Sequence, residues 1–320
     1  MKLLLVFDVP GWCWEKKCMA LQKYLSPHFE KIRIMPLARF MKEPDKIVKA
    51  FDSIHFLGWR YGEQWAKYCS TTVASYDYEN PQKRGDAKKI LNKYRAVVTT
   101  NQDLQRVLRE DVGVESYCLP NGVDHTVFVP PEKRDNEKLV VGWVGKPIWT
   151  VAKSRCPSEI QWYGEGGIWP ILKEKFAQIP GVEVREVANM PDKAISTEEM
   201  VKWYQGVDVF VCPHAKCGSP NPKMEAHSCG CCEITTPCGV TSELIKDGVN
   251  GLIIEGYDNG GVNGVVNRFV KTVDALSRHR DIVGIIGKMA RLEIENDWTW
   301  EKRALAWLPV LRKAAYNGNA

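Results

Sequence analysis

The sequence predicts an α/β fold in two domains, each an open parallel sheet covered by helices on both faces. Short apolar runs alternate with helical patterns along most of the chain, which is the signature of successive βαβ units. The 320 residues exceed the size at which a single core keeps growing, so two domains are the default. A stretch dense in proline and charge, Pro120–Lys138, interrupts the pattern midway, and the pattern then restarts. The boundaries that follow are 1–130 for the first domain, 137–296 for the second and 297–320 for a terminal segment.

Taken in order, Lys2–Asp8 reads as a buried strand. Its apolar run, Leu3 to Phe7, is too short for a secretory h-region and stops at Asp8 and Pro10. After the loop Val9–Trp12, the residues Trp14, Cys18, Leu21 and Leu25 fall on one helical face. Ile32–Met35, Ser53–Leu57, Thr71–Ser75 and Ala96–Thr99 are short strands, and Asn101 is placed to cap a helix carrying Leu104, Val107 and Leu108. In the second half Leu139–Val144 is a strand, and Pro170 opens a helix with Trp169, Leu172 and Phe176. Ser196 and Glu199 form a capping box before Met200, Trp203 and Tyr204, and the strand Val207–Cys212 follows. From Asp297 the residues Trp300, Ala304, Trp307, Leu308 and Leu311 predict one terminal amphipathic helix.

Composition bounds the function. With 44% hydrophobic and 26% charged residues the chain is an ordinary globular protein rather than a disordered or fibrous one. No apolar run approaches the roughly 18 residues of a membrane span, and a peripheral membrane contact stays open. A net charge of +5 suits anionic ligands without the density of a nucleic-acid-coating protein. Eleven scattered cysteines point to reduced thiols and a cytoplasmic location. The string Cys229–Cys232 lacks the two separated ligand pairs of a zinc site, so no metal is assigned.

The most informative stretch runs from Asp208 to Glu255. A strand ends in a Gly- and Pro-rich loop that delivers the chain into a short helix, Lys223–Cys229, closed by Gly230. Such a turn aims backbone N–H groups at one point, the geometry of a phosphate cradle, although a plain strand-to-helix connection has the same pattern. Gly218-Ser219-Pro220-Asn221-Pro222-Lys223-Met224-Glu225-Ala226, then Cys229-Gly230, Gly239, Glu243 and Asp247-Gly248-Val249-Asn250-Gly251, match in order and spacing a pattern of glycosyltransferase family 4. The chain resembles these retaining, two-domain GT-B enzymes most strongly over about residues 96–255. The string Pro120-Asn121-Gly122-Val123-Asp124 is similar to their interdomain signature.

The resemblance implies two Rossmann-like domains with the donor cleft between them and a C-terminal helix crossing back to the first. It implies transfer of a sugar from a nucleotide-diphosphate donor to an acceptor hydroxyl, without a cofactor or metal. Glu225 would hold the ribose hydroxyls, and the loop of Gly218, Ser219, Pro220 and Asn221 would face the diphosphate and sugar with its backbone N–H groups, those of Gly218, Ser219 and Asn221, a role for which a carboxylate and backbone N–H groups are chemically suited. Eight positions before Glu225 the family has a second glutamate that meets the donor sugar, and here Cys217 stands in its place. The turn Gly142–Lys146 supplies Gly145 and Lys146 near the diphosphate, with Lys153 and Arg155 as further cations.

In the first domain the loop Val9–Trp14 falls where the resembled GT-B enzymes place a glycine-containing loop near the donor and acceptor, which implies that Gly11 permits a close backbone approach there and that Trp12 offers a stacking surface. Asp77 falls where many relatives carry a catalytic histidine, and it is either the group that orients the acceptor or a structural turn acid. His214 follows the strand closely enough to approach the donor, or is an ordinary loop histidine. Basic clusters at Lys16-Lys17, Lys83-Arg84 with Lys88-Lys89, and Arg106 with Arg109 are solvated faces or an anionic acceptor surface. The acceptor is left open among a glycan, a lipid-linked sugar and nucleic acid, which makes a DNA-modifying transferase one alternative. A nucleotide-sugar-binding protein of impaired activity, suggested by Cys217, is another.

Overall fold

The computed structural model describes residues 1–75, 81–145, 168–188, 195–214, 217–256 and 259–315. The chain divides into two compact units. Unit 1 comprises Met1–Gly122 and the chain from Thr299 onward, and unit 2 comprises Val123–Trp298.

Unit 1 contains, in chain order, β1 (Lys2–Phe7), α1 (Cys13–Leu25), β2 (Lys31–Pro36), α2 (Leu37–Phe40), α3 (Pro44–Ala50), β3 (Ser53–Phe56), β4 (Cys69–Val73), α4 (Pro81–Leu91), β5 (Ala96–Thr99), α5 (Gln102–Val107) and β6 (Tyr117–Cys118). Its parallel sheet has the order β2-β1-β3-β4-β5-β6. Leu3 to Phe7 are all buried, as expected of a central strand covered on both faces. Asn101 caps α5 by accepting from the Leu104 amide at 2.8 Å. Leu4, Val6, Ile54, Phe56 and Val97 face one core, while Leu3, Leu5, Phe7, Leu57 and Val98 face the other.

Unit 2 continues with β7 (Leu139–Gly145), α6 (Trp169–Phe176), β8 (Val182–Ala188), α7 (Thr197–Gln205), β9 (Val209–Cys212), α8 (Asn221–Ser228), β10 (Cys232–Thr235), α9 (Thr241–Leu244), β11 (Leu252–Ile253), α10 (Gly261–Arg278) and α11 (Arg280–Glu293). Its parallel sheet has the order β11-β10-β9-β7-β8. Pro170 lies in the first turn of α6, and both hydrogen bonds of the Ser196–Glu199 capping box open α7. In this order the chain reverses direction across the sheet between β7 and β9. Ligands of open α/β sheets sit beyond the strand C-termini at such a switch point, here beyond Gly145 and Cys212, the last residues of β7 and β9.

Two readings need correcting. The terminal stretch is not one helix but two, α12 (Trp300–Leu305) and α13 (Leu308–Lys313). Pro309 sits in the first turn of α13, and a proline, having no N–H and a bulky ring, ends one helix and opens the next. Trp300, Ala304, Trp307 and Leu311 pack on the Leu3, Leu5 and Phe7 face of the first sheet. Lys17 is not a solvated charge: it is buried, with Nζ 4.5 Å from the centre of the Trp307 ring. Burial lowers its pKa to about 8.

The stretch from Val123 to Lys138 belongs to unit 2. Val123 and Phe128 are in its core, and the Arg134 guanidinium donates to the carbonyls of Cys229 at 2.5 Å, Gly230 at 2.7 Å and Gln205 at 3.2 Å. These are groups that the C-terminal ends of α8 and α7 leave without helical partners, so one arginine fastens this segment to two helix ends.

Candidate functional site

The site in unit 2 is built on β9 and the turn that follows. Val209–Cys212 is wholly buried, and its ladder to β10 fixes where the chain leaves the sheet. Pro220, with extended backbone, precedes α8, and Pro222 lies in the first turn, so the helix begins at Asn221, two residues before the position read from the sequence. No side chain caps α8. Gly230, with φ of +71°, lies just past its C-terminal end.

Glu225 projects from the second turn of α8. Its Oε2 accepts a hydrogen bond from the hydroxyl of Tyr204 at 3.0 Å. Tyr204 is fully buried between Phe128 and Phe210, and burial together with the facing carboxylate holds its phenol protonated, hence a permanent donor. A rigid buried phenol therefore sets the orientation of a half-buried carboxylate. The sequence places Tyr204 upstream on a helix without revealing this contact.

Beneath the turn lies a buried ionic group that the sequence reading missed. Lys223, Glu233 and His227 are all 0% exposed. Lys223 Nζ lies 3.1 Å from Glu233 Oε1, and His227 Nδ1 lies 3.0 Å from Glu233 Oε2. The angles at Glu233 and His227 fall outside hydrogen-bond geometry, so these are close contacts rather than aligned hydrogen bonds, and the ion pair is that of Lys223 with Glu233. Lys223 Nζ also donates to Thr235 Oγ1 at 2.7 Å and to Thr241 Oγ1 at 2.5 Å. Those hydroxyls in turn donate to Cys212 O and Cys238 O, at 3.0 and 2.7 Å. Burial pushes Lys223 down, but the Glu233 carboxylate outweighs it and the ammonium is held charged. Burial likewise raises Glu233, and Lys223 overrides it to keep the carboxyl below its ordinary value. The cation thus ties α8 to the turns after β9 and β10 through two threonines. The available signal was a glutamate within the buried strand Cys232–Thr235, which a polar-out pattern conceals.

The remaining assigned residues divide as follows. Gly218 accepts from the Val240 amide at 3.2 Å, and Ser219 and Pro220 are half-buried in the turn. Cys217 is buried, with its Sγ 3.1 Å from Cys238 Sγ. His214 is buried as well: its Nδ1 lies 3.2 Å from Cys212 Sγ and its carbonyl accepts from Thr236 Oγ1. Burial, reinforced by the charge of Lys223, lowers its pKa to about 3, so the imidazole is neutral at ordinary pH. Gly145 ends β7, where a side chain would collide with the indole of Trp143. Gly11, with φ of +81° and open space around it, belongs to unit 1, where its amide donates to Glu15 at 2.6 Å. Asp77, Lys146, Lys153 and Arg155 lie outside the described residues. Among the described residues no three His, Cys, Asp or Glu side chains gather into a metal-ligand set, and no helix is long and apolar enough to cross a membrane.

Residues 148–271 match the family described as glycosyl transferases group 1. Over 243 residues, 63% of its length, the chain is 24% identical to a D-inositol 3-phosphate glycosyltransferase of Xylanimonas cellulosilytica, and this match spans 57% of that protein. The fold is similar to that of sucrose-phosphate synthase from Thermosynechococcus elongatus, with a TM-score of 0.73 at 15% identity over 98% of both chains. It is also similar to Anabaena HepE in complex with UDP-glucose, with a TM-score of 0.67 at 13% identity over 98% of this chain and 99% of that one. Residues 148–271 thus match the group 1 glycosyltransferase family, and the two parallel α/β sheets have the GT-B fold of these similar structures.

Proposed function

We propose that the protein transfers a sugar, with retention and without a metal, from a nucleoside-diphosphate donor to an acceptor hydroxyl. The observation that carries this reading is the placement of Glu225, held by the buried hydroxyl of Tyr204, behind a Gly-Ser-Pro-Asn turn at the switch point of the second sheet. In this reading Glu225 receives the ribose hydroxyls, and the amides of the 218–221 turn face the diphosphate. The leaving diphosphate gains negative charge as the glycosidic bond breaks, and preorganised N–H donors with a cation, assigned from the sequence to Lys146 or Lys153, stabilise it best at that moment. The acceptor hydroxyl attacks from the face that the diphosphate leaves, and Asp77 is the group proposed to orient it. HepE, which shares the fold, is described in complex with UDP-glucose, and this supports a nucleotide sugar as donor.

Cys217 favours a second reading, in which the protein binds the donor with little turnover. A thiol engaged with Cys238 offers the sugar neither the charge nor the two acceptor oxygens of a glutamate. Titrating UDP-, GDP- and ADP-sugars into the protein by calorimetry, and measuring release of free nucleotide, separates the two. Glu225→Ala is expected to weaken binding of the preferred donor at least tenfold. Unchanged binding in that variant would remove the reading, and binding without nucleotide release, in the presence or absence of candidate acceptors, would select the second one.

A further inference from the structure

We propose that Cys217 and Cys238 form a redox-modification site, a pair of thiols that closes to a reversible intrachain disulfide on exposure to a peroxide. Both are free cysteines, with their sulfurs 3.1 Å apart. An S–S bond is about 2.05 Å long, so closure needs the sulfurs to approach by about 1 Å.

The backbone around them is built to keep them together. Cys238 is pinned at both ends of its peptide: its amide donates to Thr236 O at 2.9 Å, and its carbonyl accepts from the Thr241 hydroxyl at 2.7 Å and the Thr241 amide at 3.2 Å. The next residue, Gly239, has φ of +58°, and a Cβ there would collide with Gly218 O and lie 2.5 Å from Cys217 O and 2.8 Å from Cys217 Sγ. Glycine at this position is what lets the turn after β10 lie flat against the turn after β9. The Val240 amide then donates to Gly218 O at 3.2 Å and links the two turns beside the sulfurs.

Cys238 is half-buried and Cys217 is buried, which makes Cys238 the sulfur that an oxidant meets first. The Cys217 thiol hydrogen-bonds to Cys238 and, with the nearby charge of Lys223, favours the Cys238 thiolate. Other cysteines of unit 2 are occupied elsewhere: Cys212 faces His214, and Cys231 Sγ sits on the carbonyls of Tyr204 and Val207 at 3.4 and 3.3 Å.

The chemistry balances with hydrogen peroxide as the two-electron oxidant. The Cys238 thiolate attacks one peroxide oxygen, the O–O bond breaks, and one water leaves as the sulfenic acid forms. The Cys217 sulfur then attacks the Cys238 sulfur, the S–O bond breaks, and a second water leaves. Two thiols have lost two electrons and two protons, and one peroxide has become two waters. A dithiol reductant reverses the step.

Closure draws Cys217, the residue before the 218–221 turn, toward the turn after β10. This consequence rests on the donor reading above, whereas disulfide formation does not. Groups that must meet a ligand in register tolerate such a shift poorly, a misplacement of about 1 Å costing catalysis up to about a hundredfold, and the oxidised protein is expected to bind the donor nucleotide about tenfold more weakly.

The test uses the full chain, reduced, freed of reductant and treated with a small excess of hydrogen peroxide. After alkylation and non-reducing digestion, mass spectrometry should find one peptide pair joining Cys217 to Cys238 and the loss of two of the eleven titratable thiols, both restored by dithiothreitol. No linked pair, linkage through other cysteines, or direct passage to sulfinic acid would overturn the proposal. Calorimetry with UDP, GDP and ADP before and after oxidation should show the tenfold loss, and Cys238→Ser should bind as the reduced wild type does and ignore peroxide. A linked pair with unchanged affinity overturns the control of binding. A reduced protein that binds none of the three nucleotides overturns the donor reading and leaves the mass-spectrometric result standing as the proof of the site.

Discussion

Replacing Glu233 by Gln removes one charge from a group with no access to water. In the wild type the carboxylate lies 3.1 Å from Lys223 Nζ, and both side chains are 0% exposed. At an effective dielectric constant of about 20 that separation corresponds to roughly 5 kcal/mol of attraction. Its loss is bounded, because Lys223 can shed its proton instead of remaining charged. Deprotonating a lysine of ordinary pKa near 10.4 costs about 4.6 kcal/mol at pH 7 and about 1.9 kcal/mol at pH 9.

Glu233→Gln should therefore destabilise unit 2 by about 3–5 kcal/mol at pH 7, in line with other broken buried pairs, and by about 2–3 kcal/mol less at pH 9. The measurement is urea unfolding followed by tryptophan fluorescence at both pH values, with Lys223→Met/Glu233→Gln as the control that removes the orphaned cation. The reasoning is refuted by a Glu233→Gln loss below 1 kcal/mol at pH 7, by a loss of equal size at pH 9, or by a double variant no more stable than the single one.

The same pair predicts acid sensitivity. The folded Glu233 carboxyl lies below its ordinary value of 4.5, so the stability it contributes is present above that pH and is lost as pH falls through the folded value, which an acid titration of unfolding free energy should show. Gly239→Ala should cost at least about 2 kcal/mol and lower the thermal midpoint, because a Cβ there meets Gly218 O at a φ that side chains rarely adopt. Lys17→Met should stabilise unit 1 by about 2–3 kcal/mol at pH 7. The folded ammonium titrates near 8 against 10.5 unfolded, so wild-type stability should rise with pH across that interval while the variant's stays flat.

How much was legible depended on whether a residue's role was local. The Asn101 cap, the Ser196–Glu199 box and the Pro170 start are set by hydrogen bonds or φ values within one turn, and each appears where the pattern put it. Strands of four buried residues such as Ala96–Thr99 were visible because apolar runs that short have few other uses. Lys17 was misjudged because a lysine beside another lysine looks solvated, and the Trp307 ring that lies against its ammonium is 290 positions along the chain. The break between α12 and α13 could have been read from Pro309, but the apolar spacing continues through it and outvoted the proline. Within the candidate site, Glu225 and the 218–221 turn stood out as a linear motif. Lys223 with Glu233, Cys217 with Cys238, and Tyr204 with Glu225 are each between 10 and 21 residues apart and meet only once β9, α7, α8 and β10 are assembled.

The division of the chain also has a bearing on how the molecule is made. Unit 1 is interrupted: its first 122 residues are separated from α12 and α13 by all of unit 2. The residues flanking the insertion meet, since the Val123 amide donates to Trp298 O at 2.9 Å and Gly122 has no room for a side chain against the backbone of Thr299 and Trp300. On a ribosome adding about 5–20 residues per second, the apolar face of the first sheet that Trp300, Trp307 and Leu311 will cover waits on the order of 10–35 s for its lid. Unit 2, contiguous and with its ends adjacent, can finish folding in that interval. The nascent protein therefore passes through a stage with a completed insert and a half-clad host, and that exposed face is where a chaperone would find it.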